Sequence, residues 1–212
     1  RNVVLRWRDL ALRRTVMRSR PLVLQIELTN RCNLRCPACP RHSPGAPIDT
    51  GHMDFSLLDR IEDDMRHAFF VSIAGFGEPM LHPRFFELLE RVAAAGAIPS
   101  IITNATLLDE AAARRLVAAG PAIFMPSIDA GTPALYEELR EGARFERVRA
   151  GLLALRREKE RAGTGFPMVH FAAVLSRKNE HDMERLAALA HETGAAHINL
   201  QTCYPYSEAA AA

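Results

Sequence analysis

The sequence predicts an α/β protein folded as a partial (β/α)6 TIM-like barrel with parallel strands. Three observations carry this. Six apolar, strand-length runs alternate with helical patterns from residue 22 onward. Alternation of that kind requires a parallel sheet with right-handed crossovers. The chemically unusual groups Cys32 to Cys39, Gly75 to Pro79, Thr103-Asn104 and Ser127 to Asp129 each end or directly follow an apolar run. Parallel barrels carry their sites at the carboxyl ends of the strands, so all four groups fall on one rim.

The first element is a basic arm, residues 1 to 21. Val4, Leu5, Ala11, Leu12 and Val16 follow helical spacing with arginines between them, which predicts an amphipathic helix leading into Pro21. Two readings stand for it: a helix packed on the body, or a binder of a partner or acidic peptide. The core occupies residues 22 to 212. Strands are predicted near 22–28, 70–74, 98–103, 122–128, 168–174 and 197–202. Helices are predicted near 56–67, 83–95, 109–119, 133–140, 145–161 and 180–192. Ser56 with Asp59 three positions on marks the start of the first core helix. Phe85, Phe86, Leu88, Leu89 and Val92 give the second one apolar face. Gly120 and Gly194 stand where C-terminal caps belong.

At 212 residues and 48% hydrophobic, the chain suffices for one large domain. Seven arginines against Asp9 in the first twenty residues make a local basic field, but the formal charge of +2 does not point to nucleic acid. No run approaches the roughly 20 apolar residues of a membrane span. A soluble, cytoplasmic protein is expected, since three of the four cysteines are crowded into eight positions and thiolates of this kind need a reducing compartment. The sequence begins at Arg1 and stops in Ser-Glu-Ala-Ala-Ala-Ala, which predicts a core truncated at its C-terminus.

Cys32-Asn-Leu-Arg-Cys36-Pro-Ala-Cys39 is a CxxxCxxC loop at a strand end. Its spacing lets one loop wrap three thiolates around an iron-sulfur cubane and leaves the fourth iron open. A structural zinc site is the competing reading, with Cys203, His42 or His52 as a fourth ligand. Cys203 also reads as a buried, inert thiol. Gly75-Phe-Gly-Glu-Pro is either a plain turn or a place where Gly77 admits a ligand to the backbone while Glu78 accepts from an ammonium group. Thr103, Asn104 and Ser127 suit ribose or carboxylate, or else cap strand-to-helix turns. Asp129 reads as the start of the following helix.

Taken together, these segments resemble radical S-adenosylmethionine (radical SAM) enzymes: the cysteine loop, Gly-Glu-Pro after the second strand, Thr-Asn after the third and Ser-Ile-Asp after the fourth. The likeness covers residues 22 to 204. It implies a [4Fe-4S] cluster on Cys32, Cys36 and Cys39, with S-adenosylmethionine chelating the open iron. It further implies the methionyl amine at Gly77 and Glu78, its carboxylate or ribose at Ser127, and adenine at the backbone around Ala38, where many members have an aromatic residue. Thr103 and Asn104 would line the cofactor or substrate. Arg140 matches a recurrent family arginine, and Asn179 falls where adenine contacts are sometimes made. The opening also resembles the subgroup that appends a cysteine-rich (SPASM/twitch) domain.

The implied activity is reductive cleavage of S-adenosylmethionine to a 5′-deoxyadenosyl radical that abstracts a substrate hydrogen, oxidising or modifying a peptide side chain, small alcohol or sugar. A flavodoxin or ferredoxin would supply the electron. A radical methyltransferase or carbon-carbon bond-forming enzyme would share every residue named. A non-catalytic zinc or iron-sulfur binding module is the opposed class.

Overall fold

The computed structural model describes residues 2–42 and 49–202. Six strands form one sheet in the order β1-β2-β3-β4-β5-β6, with every neighbouring pair parallel. They are β1 (Val23–Ile26), β2 (Phe70–Ile73), β3 (Ile98–Thr103), β4 (Ile123–Pro126), β5 (Met168–Leu175) and β6 (His197–Thr202). The intervening helices are α2 (Leu57–Met65), α3 (Phe85–Ala94), α4 (Glu110–Ala118), α5 (Pro133–Leu139), α6 (Phe145–Ala162) and α7 (Met183–Thr193). The predicted open barrel is present, and the sequential order follows from right-handed crossovers that each place the next strand beside the last.

Alternation along the strands separates two faces. Ile26, Val71, Ile73, Ile101, Phe124, Val169 and Phe171 are buried beneath the helices. Leu88, Leu89 and Val92 of α3, with Leu152 and Leu155 of α6, close that layer from outside. Each such side chain stabilises the fold by about 1.5–3 kcal/mol relative to exposure. Between them, Gln25, Ser72, Ser100, Met125 and His170 occupy the opposite, concave face and are less buried. Two-sided strands of this kind place small and polar groups in the lumen without unburying the core.

Strand β1 is shorter than predicted because residues 27 to 29 leave the parallel ladder. Thr29 bridges antiparallel to His52, and the Met53 amide donates to the Leu28 carbonyl. The Asn30 side chain completes this clasp, accepting from the Gly51 amide and donating to the Asp49 carbonyl, both at 2.7 Å. The cysteine loop therefore departs from a fixed base. Helix α2 is capped by Asp54 rather than Ser56: the Asp54 carboxylate accepts from the Ser56 amide and hydroxyl. Asp59 instead meets Arg91 of α3 at 2.7 Å.

The arm departs most from expectation. Only α1 (Asn2–Ala11) is helical. Arg13 takes a positive φ of 48°, and the amides of Arg13 and Arg14 return to the Leu10 and Asp9 carbonyls, a helix-ending pattern. Asp9, 1% exposed, then turns the chain by accepting from the amides of Arg18 and Ser19, both at 2.8 Å. Burial raises the Asp9 carboxyl, but these amides and Arg14 outweigh it, so its pKa lies below the ordinary value. A depressed folded pKa contributes stability above the unfolded value, lost as pH falls through the folded one. Acidification below the ordinary aspartate range is expected to deprotect the Arg18 and Ser19 amides in hydrogen exchange before the sheet is affected. Asp9→Asn should show the same deprotection at neutral pH.

Candidate active site

The cysteine loop is built on β1. Cys32, Cys36 and Cys39 are unpaired and half-buried. Leu34, between the first two, is buried, and the Arg35 amide donates to the Glu141 carbonyl at 2.9 Å. Further on, the Cys39 amide returns to the Cys36 carbonyl. These contacts fix the loop over the carboxyl end of the sheet.

The segment after β2 docks against the base of this loop. A Cβ on Gly77 would collide with the Thr29 carbonyl and lie 2.7 Å from the Arg31 carbonyl, so the missing side chain admits the protein's own backbone. The Glu78 amide donates to Arg31 at 2.8 Å. Glu78 is buried, and its carboxylate accepts from the Thr103 hydroxyl at 2.7 Å, the Asn104 amide at 2.6 Å and the Met80 amide at 3.1 Å. Burial pushes this carboxyl up from its ordinary value, against the pull of the three donors. Glu78 thus ties the end of β2 to the end of β3. Asn104 extends the tie: its side-chain amide donates to Asn33 at 2.9 Å and lies 3.8 Å from the Cys32 sulfur.

The ends of β4 and β5 form a second buried group. Asp129 does not start a helix, since α5 opens at Pro133. Instead its carboxylate pairs with Arg140 at 2.6 Å and accepts from the Val174 amide at 2.8 Å. Burial works against the Arg140 charge, but Asp129 and Cys36 outweigh it and hold the guanidinium protonated. Burial likewise raises the Cys36 thiol, with the adjacent guanidinium pulling it back and the other two cysteines opposing that pull. Tyr136, one turn before Arg140, is fully buried with a hydroxyl that has no partner. Burial raises its pKa.

These residues converge on a cavity of about 480 Å³. Cys32, Cys36, Ala38, Cys39, Gly77, Glu78, Thr103, Asn104, Ser127 and Arg140 all line it, a size in the range of roughly 300–1,000 Å³ usual for small-molecule sites. Asn179 is not brought there. It is buried in the turn after β5, donating to the carbonyls of Asp129 and Val174 and accepting from the Ser176 amide. Cys203 lies outside the described residues. Phe76, Asp129, Val174 and Gln201 also line the cavity and were not assigned to it from sequence. Phe76 and Asp129 carried a signal, since each belongs to a group that ends or follows a strand at this rim, whereas Val174 and Gln201 lie within apolar strand runs and carried none.

The donor set fits an iron-sulfur group: three soft thiols from one loop face one cavity, one short of closing a four-ligand site. Among the described residues, no three His, Cys, Asp or Glu side chains stand close enough to hold a single ion, the three cysteines included, and Cys203 of the zinc reading lies outside the described residues.

The fold and the site define a parallel α/β barrel with three unpaired thiols at its carboxyl rim. The chain belongs to the Radical SAM superfamily, whose model matches residues 26–190, and it is an enzyme. It is 29% identical over 171 residues to the tungsten-containing aldehyde ferredoxin oxidoreductase cofactor-modifying protein of Pyrococcus furiosus, covering 77% of this chain and 46% of that one. It is 29% identical over 188 residues to the PqqA peptide cyclase of Gluconobacter oxydans, covering 86% and 49%. The fold matches the crystal structure of Streptococcus suis SuiB bound to S-adenosylmethionine with a TM-score of 0.73 at 19% identity, covering 92% of this chain and 44% of that one. The chain spans about half the length of the curated relatives it matches.

The Asp129–Arg140 pair gives a direct test of this architecture. Arg140→Leu leaves a buried carboxylate uncompensated and is expected to lower stability by about 3–5 kcal/mol in urea unfolding. Adding Asp129→Asn should recover part of that loss, because the charge that needed a partner is gone.

Proposed function

We propose that this enzyme holds a [4Fe-4S] cluster on Cys32, Cys36 and Cys39, binds S-adenosylmethionine in the adjoining cavity, and modifies a peptide by removing a side-chain hydrogen atom. The observation that carries this is the convergence of three thiols from one loop and the ends of β2, β3 and β4 on one cavity. When bound, the cluster and S-adenosylmethionine supply a 5′-deoxyadenosyl radical by reductive cleavage of the sulfonium. The chain's own part is positional. Gly77 and Glu78 offer the backbone and buried carboxylate beside which the methionyl amine sits, and Ser127 offers a hydroxyl to carboxylate or ribose. Thr103 and Asn104, locked by Glu78, form the wall between them. Arg140 places a fixed positive charge beside Cys36 and favours the thiolate there. The barrel wall and the cysteine loop exclude water and stray hydrogen donors.

A peptide is favoured as substrate by the similarity to the PqqA peptide cyclase, which extends over 86% of this chain. Residues 22 to 212 form the catalytic core in this reading, residues 1 to 21 a separate arm, and a flavodoxin or ferredoxin donates the electron. No described helix is long and apolar enough to cross a membrane.

Anaerobic reconstitution with iron and sulfide, followed by dithionite and S-adenosylmethionine, is expected to give a brown protein that releases 5′-deoxyadenosine and methionine. Cys36→Ala should abolish both colour and product; product formation by that variant would remove Cys36 from the ligand set. A brown wild-type protein that forms no 5′-deoxyadenosine would favour the binding-module reading.

Glu78→Ala should keep its iron, since the partners of the Glu78 carboxylate are Met80, Thr103 and Asn104 and not a cysteine, while freeing the Thr103 and Asn104 wall. Its Kd for S-adenosylmethionine is expected to rise about tenfold, the equivalent of one hydrogen bond of about 1.4 kcal/mol, by isothermal titration.

A further inference from the structure

The arm is attached through polar anchors and leaves several large apolar side chains exposed. Asp9 is 1% exposed, and Asn2 is clamped by donating to the carbonyls of Arg20 and His67 and accepting from the Arg20 amide. Arg20 in turn reaches Asp63 and Asp64 at 3.0 and 3.1 Å, fastening the arm to the end of α2. Asn2 and Asp9, with half-buried Val3, Leu5 and Arg6 beside them, form the side of α1 that meets the protein. Another side meets solvent: Val4, Trp7 and Ala11 share an i, i+3, i+7 stripe, with Trp7 70% and Val4 69% exposed. Leu10 and, beyond the helix, Leu12 and Val16 are exposed as well. An exposed apolar stripe on a helix anchored from its other side through Asn2 and the buried Asp9 marks an interaction surface.

Charge and shape indicate what covers it. Among the described residues, Arg8, Arg13 and Arg18 of the arm are in no ion pair, while the arm's one acid, Asp9, is buried and spent on Arg14 and two amides. The partner is therefore apolar and anionic. A single helix presents a convex ridge, which suits a deformable lipid boundary better than an extended peptide, for which a groove or sheet edge is the usual receptor. Tryptophan at headgroup depth with arginines reaching around it is the pattern of a helix lying in a membrane interface. The same end of the barrel exposes Val23, Phe70, Ile98 and Met168, the first residues of four strands, and Phe69 before them. The thiol-lined cavity opens at the opposite, carboxyl end.

We propose that α1 docks the enzyme on an anionic membrane surface, with Val4, Trp7 and Leu10 entering the headgroup region and Arg8, Arg13 and Arg18 contacting lipid phosphates, so that the catalytic cavity faces the aqueous side.

Trp7 is the only tryptophan in the sequence, so its emission reports this contact directly. Flotation of the purified protein with vesicles of phosphatidylcholine mixed with phosphatidylglycerol should carry it to the lipid layer, with a blue shift of Trp7 emission. Binding should weaken with salt and be absent from pure phosphatidylcholine. Val4→Asp and Arg8→Glu, both at exposed positions, should each lower vesicle affinity about tenfold while thermal unfolding and iron loading stay unchanged. Failure to float with anionic vesicles would overturn the proposal. So would equal binding to neutral ones, or a Trp7 shift produced by polyglutamate and not by lipid, which would point to an acidic protein partner.

Discussion

Everything at this site depends on the six strands running the same way in sequential order. In a parallel sheet each strand returns through a helix on the outer face, so each strand's last residues reach the same rim. The cysteine loop, Glu78, Asn104, Ser127 and Asp129 come from segments separated by dozens of residues, and this constraint makes them neighbours around one cavity. An antiparallel strand anywhere among the first four would send its motif to the far end.

Two buried carboxylates turn that topological agreement into a fixed geometry. Glu78 binds the end of β2 to the end of β3 through three donors, and Asn104 passes the constraint on to Asn33 and the neighbourhood of Cys32. Asp129 does the same for β4 and β5, holding Arg140 against the loop of Cys36. Burying a carboxylate is costly unless its acceptors are filled, and both are filled by groups whose positions matter to the cavity. The cavity wall is thereby held by the protein's own hydrogen bonds and ion pair. In the Radical SAM superfamily the cluster and S-adenosylmethionine carry the difficult chemistry, and the protein contributes placement and exclusion of water.

Most of the fold was legible because apolar periodicity and its alternation with helical patterns are local signals. All six strands and six core helices stand within a few residues of their predicted positions. The exceptions share a cause. Residues 27 and 28 read as strand but leave the ladder where the chain is captured by residues 51 to 53, and the arm read as one helix but is turned back by Asp9. In each, a hydrogen-bond partner distant in sequence overrides a local preference. The arm was read as amphipathic, yet which side it would bury could not be inferred, because Asn2 and Asp9 gain their partners only once residues 18 to 20 and 67 are in place.

The sequence by itself determined the parallel barrel, the three-thiol loop and the rim on which the site lies, since strand period, cysteine spacing and crossover handedness all act within short stretches of chain. Tertiary structure alone decided that Glu78 is a clamp between strands, that Asp129 pairs with Arg140 instead of opening a helix, that Asn179 belongs to a turn away from the cavity, and that the basic arm shows an apolar stripe to solvent. The reason is physical: the role of a buried polar group is set by the partner that satisfies it, and here those partners lie as far off as the 71 residues between Asn104 and Asn33.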